Sequence, residues 1–102
     1  MSNELSTTSS SGNLVDIHRL LQTMVDKGAS DLHVTVGSPP SLRIDGKIFP
    51  LKTKSLVDSD IASLAYSILN DRQKRQFEEG NEIDLSFQWK KKFRFRANFF
   101  RQ

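Results

Sequence analysis

A chain of 102 residues with a net charge of +3 and no cysteine is one domain's worth of sequence, with neither disulfides nor thiolate metal ligands. His18 and His33 stand fifteen residues apart without an HxxxH spacing, so no metal site is expected. The chain has no apolar run of about 20 residues and no basic-then-apolar start, which predicts a cytoplasmic protein.

The charge is unevenly placed. Nine Lys/Arg and all twelve Asp/Glu precede Lys90, whereas residues 90–102 hold six bases and no acid. That end of the chain generates a local positive field suited to an anionic partner; a solvated basic hairpin without a partner is the simpler alternative.

Residues 1–12 are rich in Ser and Thr and lack large apolar groups, so a disordered leader is expected there, with the folded domain spanning residues 13–102. Asn13 is the predicted cap of a first helix, with Asp16 three residues on. Leu14, Ile17, Leu21 and Met24 form its apolar stripe and Gly28 its stop. Residues 30–36 alternate, with Leu32, Val34 and Val36 facing one way and Asp31, His33 and Thr35 the other, as in a half-buried strand. After Pro39-Pro40, two short apolar runs flank Asp45-Gly46, a strong signal for a hairpin whose turn needs positive φ at both central residues. Asp58 is the expected cap of a second helix carrying Ile61, Leu64, Ala65 and Ile68. Asn70 or Asp71 starts a third, anchored by Phe77 and ended by Gly80. Two alternating runs, 82–87 and 93–99, join through Lys90-Lys91-Lys92. The pattern predicts an α+β domain, an antiparallel sheet with helices packed on one face.

Alternation sends Phe93, Phe95, Ala97 and Phe99 to the core, and Arg94, Arg96 and Asn98 outward. Two guanidiniums two residues apart on a strand lie roughly 6.5–7 Å from each other, close enough to converge on one polyphosphate as planar donors. Cross-strand pairing of Arg94 and Arg96 with Glu82 and Asp84 is the competing explanation, and the sequence leaves both open. Ser30, Asp31 and His33 form a second polar group. With no nucleophile nearby, a strand-edge or subunit-contact role is expected of it rather than catalysis. The glycines at 12, 28, 37, 46 and 80 are isolated, and no GxxxxGK[ST] loop is present, so these residues alone are not expected to hydrolyse a nucleotide.

The segments 28–40 (GASDLHVTVGSPP), 42–47 (LRIDGK), 66–69, 77–79, 82–87 and 94–102 (RFRANFFRQ) together resemble the opening of PilT-type pilus retraction ATPases, of the secretion ATPase superfamily, over residues 13–102. The resemblance implies a PAS-like amino-terminal domain of a hexameric type IV pilus motor active in twitching motility. A RecA-like carboxyl-terminal domain, absent from these residues, would carry ATP and Mg²⁺. It implies that arginines of this domain reach the ATP phosphates, Arg96 first, Arg101 second and Arg94 third. Ser30, Asp31, His33 and Asn98 are expected, from their strand positions, in structural or interface roles. The implied partners are the RecA-like domains of the same and neighbouring subunits and the inner-membrane pilus platform protein, with no nucleic acid. The implied location is cytoplasmic and peripheral to that membrane. A pilus-extension or type II secretion ATPase would share much of this domain. Two readings from other classes are a single-stranded nucleic-acid module, for which Lys90–Arg96 offers a basic-aromatic strand, and a PAS-type ligand sensor.

Overall fold

A computed structural model describes residues 16–101. The predicted leader 1–12 and the predicted cap Asn13 lie outside the described residues. Helix α1 (Ile17–Lys27) is followed by strands β1 (Asp31–Thr35), β2 (Ser41–Ile44) and β3 (Lys47–Pro50). Then come helices α2 (Asp58–Ile68) and α3 (Asp71–Gly80), and the long hairpin β4 (Glu82–Trp89) and β5 (Phe93–Phe100).

Local chemistry fixes the helix ends. Asp16 is itself the N-cap of α1, its Oδ1 accepting from the His18 N–H at 2.9 Å. Gly28 closes that helix at φ 70°, a left-handed value that costs glycine little. The expected cap of α2, Asp58, is instead its first helical residue. Val57 holds the cap position, and Asp60 reaches back to accept the Val57 N–H at 3.0 Å. At α3, Asn70 and Gln73 exchange reciprocal side-chain bonds of 2.8 and 2.9 Å. Asn81, one residue beyond the expected stop, takes the left-handed position at φ 61°.

The five strands form one sheet in the order β3-β2-β1-β5-β4. The α+β class is as predicted. The sheet is mixed rather than wholly antiparallel, because β1 and β5 run parallel at its centre with Leu32 beside Ala97 and Val34 beside Phe99. The two helices between β3 and β4 carry the chain across the sheet, which allows its last strand to enter beside the first.

Alternation then sorts the sheet into two faces. Leu32, Val34, Leu42, Ile83, Phe95, Ala97 and Phe99 point into a single core with Leu20, Leu21 and Met24 of α1, Ile61, Leu64 and Ala65 of α2, and Phe77 of α3. Among the described residues no charged or polar side chain is buried in this layer. The helices lie on that face only, and the opposite face is open and mostly polar, with Ile48 exposed beside Arg43.

Candidate functional site

The open face has its own register. β1 runs between β2 and β5, so Asp31 has Arg43 on one side and Arg96 on the other, and His33 has Ser41 and Asn98. β4 extends both rows, setting Ser86 beside Arg96 and Asp84 beside Asn98. One rung of the sheet therefore reads Arg43, Asp31, Arg96, an alternation of charge that follows from strand order and register alone.

These side chains line a cleft of about 340 Å³, formed by Asp31, His33, Arg43, Asp84, Arg96 and Asn98 around Ala97. Asp31 is the anchor. Its Oδ1 accepts from Ser30 Oγ at 2.6 Å, while its Oδ2 lies 3.8 Å from Arg96 Nη1. Asp84 Oδ2 lies 3.9 Å from Arg96 Nη2. Both contacts are too long for hydrogen bonds. Among the described residues the Arg96 guanidinium makes no hydrogen bond, and its side chain is 63% exposed. It is oriented by two carboxylates while its donors stay available. The Nε2 atom of His33 is buried in this region and has no hydrogen-bond partner among the described residues. Asn98 Nδ2 reaches Glu82 Oε2 at 3.5 Å.

Of the sequence-predicted residues, Ser30, Asp31, His33, Asn98 and Arg96 come together here. Arg94 is exposed on the same face, opposite Gln88, nearer the hairpin end. Among the described residues the alternative, cross-strand pairing, is realised only for Arg96 with Asp84, and diagonally. The Trp89–Phe93 closure sets Glu82 opposite Phe100, well away from Arg94. Arg101 lies apart from the cleft, on the helix side of the sheet. Its Cζ stands 4.8 Å from the centre of the Phe77 ring, and its Nη1 is 3.8 Å from Asp58 Oδ2. Its backbone N–H donates to Asn81 O at 2.9 Å, and its side chain is 18% exposed. Nearby, Tyr66 Oη donates to Glu78 Oε2 at 2.8 Å. That hydrogen bond, aided by burial and the Glu78 charge, raises the phenol pKa above its ordinary 10.0, while Arg101 acts in the opposite sense.

Sequence reasoning missed Arg43 as a cleft residue. Its position between inward Leu42 and Ile44 marked it as outward-facing, but nothing in the sequence tied β2 to the neighbourhood of Arg96.

The molecule is thus an α+β domain that covers one sheet face with helices and presents Arg96 on the other. No family model matches the chain. It is 41% identical over 88 residues to the type IV pilus retraction ATPase PilT of Pseudomonas aeruginosa, covering 86% of this chain and 26% of that protein. It is 32% identical over 88 residues to the type IV pilus ATPase PilU of the same organism, covering 86% of this chain and 23% of that protein. The crystal structure of the pilus retraction motor PilT with bound ADP superposes with a TM-score of 0.63 at 40% identity, covering 80% of this chain and 24% of that one. These likenesses support an amino-terminal domain of a PilT-type pilus retraction ATPase, and the chain spans about a quarter of the length of these relatives.

Proposed function

We propose that this domain is the nucleotide-contacting, regulatory part of a type IV pilus retraction motor that assembles as a hexamer and drives twitching motility. Its open sheet face meets a RecA-like domain of the same or a neighbouring subunit, which holds ATP and Mg²⁺. Arg96 reaches the phosphates there. An arginine supplied across an interface stabilises charge that develops during phosphoryl transfer and makes turnover depend on ring geometry.

One observation carries the reading: the Arg96 guanidinium is exposed and oriented, and its donors are uncommitted within the described residues. Planar, permanently charged donors suit polyphosphate oxygens. Ser30, Asp31, His33 and Asn98 hold the cleft and contact the partner. Arg94 is the second exposed donor, and Arg101, held against Phe77, serves only if the motor's cycle frees it. In the motor this domain sits at the cytoplasmic side of the inner membrane, against the pilus platform protein. The match to PilU leaves the same face available to a related pilus ATPase.

The test is Arg96→Ala in the full-length motor. ATP turnover should fall by roughly a hundredfold or more, the scale for losing a transition-state donor. Unchanged turnover in a ring that still assembles removes Arg96 from the nucleotide site.

A further inference from the structure

The end of the β4–β5 hairpin is a second basic feature, distinct from the cleft. Trp89 pairs with Phe93, and the three residues between them are all lysines. The Lys92 N–H donates to Trp89 O at 3.2 Å, closing a turn whose central residues, Lys90 and Lys91, both have φ of 55°. Left-handed backbone is costly for residues with a Cβ, and Asn-Gly is the usual occupant of such a turn. This sequence puts two lysines there instead, at a conformational cost that charge at the tip would justify.

Aromatic groups stand directly behind the charge. Trp89 and Phe93 are half-buried, with ring centres 6.4 Å apart. The Lys90 ammonium lies 4.5 Å from the centre of the Trp89 ring, and Lys92 lies 5.6 Å from that of Phe93. Arg94 adds a fourth base, and no acid follows Asp84 in the sequence. The tip runs past β1, which pairs with β5 only from Arg96 onward, and it is cationic and backed by an amphipathic indole.

We infer that this hairpin end is a contact site for an anionic lipid bilayer, the lysines meeting acidic headgroups and Trp89 settling at the interface. A projecting tip fits a surface rather than a groove. Lysines act as point charges on phosphate, and indole is favoured at the boundary between headgroup and acyl chain. Single-stranded RNA is the competing polyanion, but base stacking needs free aromatic faces. Here Lys90 lies over the indole, and Phe93 stacks on Phe95 with an interplanar angle of 7°. The inference is independent of the nucleotide reading, since Arg96 lies four residues along the strand from Lys92, about 13 Å.

Trp89 is the only tryptophan, so its fluorescence reports on the tip alone. Titration with vesicles of equal parts phosphatidylglycerol and phosphatidylcholine should shift its emission to the blue, and added salt should reverse the shift. Pure phosphatidylcholine vesicles should leave it unchanged. The triple variant Lys90→Asn, Lys91→Gly, Lys92→Gln keeps a favourable turn while removing the charge. At about fivefold per lysine near an acidic surface, it should bind the mixed vesicles on the order of a hundredfold more weakly. Equal binding to both vesicle types, or undiminished binding by a folded triple variant, overturns the site. So does a preference for oligouridylate over the acidic vesicles. The Arg96→Ala variant should bind vesicles as the parent chain does.

Discussion

Asp31 and Arg96 lie side by side on parallel neighbouring strands, carboxylate and guanidinium 3.8 Å apart, with the Ser30 hydroxyl fixing the far oxygen of the acid. The pair joins the beginning of the chain to its end. Because Arg96 is mostly in water, the contact orients the side chain more than it stabilises the fold.

That balance gives a first prediction. Exposed ion pairs contribute about 0–1 kcal/mol, so Arg96→Ala should change the unfolding free energy of this domain by less than about 1 kcal/mol. A urea titration measures it. A much larger loss would mean that Arg96 supports the sheet, and lowered turnover in the motor could then no longer be attributed to a missing phosphate contact.

Arg101 should behave in the opposite way. Its guanidinium covers the Phe77 ring and faces Asp58 while largely shielded from water, so it ties the end of β5 to α2 and α3. Arg101→Ala removes a cation–π contact, an ion pair and packing area together, and should cost about 1–2 kcal/mol in the same titration. Arg101→Lys should recover only part of this, because the flat guanidinium stacks where an ammonium cannot. A neutral Arg101→Ala would show that the stack contributes nothing.

Tyr66 makes stability sensitive to alkaline pH. Its folded-state pKa is raised above 10.0, chiefly because the phenol donates to Glu78. The folded state therefore favours the protonated form. The resulting contribution is fully present below pH 10 and is lost as the pH rises through the folded-state value. Thermal melts from pH 8 to 11 should show a decline at the upper end that is smaller in Tyr66→Phe. Parallel pH profiles for the two proteins would rule out this linkage.

Much of the fold was legible in residue order. Period-two alternation in residues 30–36 and 93–99 identified both central strands and the face each presents to the core. Asp45-Gly46 fixed the first hairpin, whose turn residues have φ of 51° and 81°. Helix ends were read less well. Asp58 looked like a cap, but Asp60, three residues after Val57, is the carboxylate placed to accept the Val57 N–H, while Asp58 faces Arg101.

The site divides in the same manner. Residue order was enough to turn Arg94, Arg96 and Asn98 away from Phe95, Ala97 and Phe99, because neighbouring side chains on a strand must point to opposite faces. Strand order in the assembled sheet is what sets Arg96 between Asp31 and Asp84, brings Arg43 into the cleft and turns Arg101 to the helices. Those relationships depend on β5 entering parallel to β1 across two intervening helices. Local alternation states which face a residue occupies, but not which distant strand it will lie against.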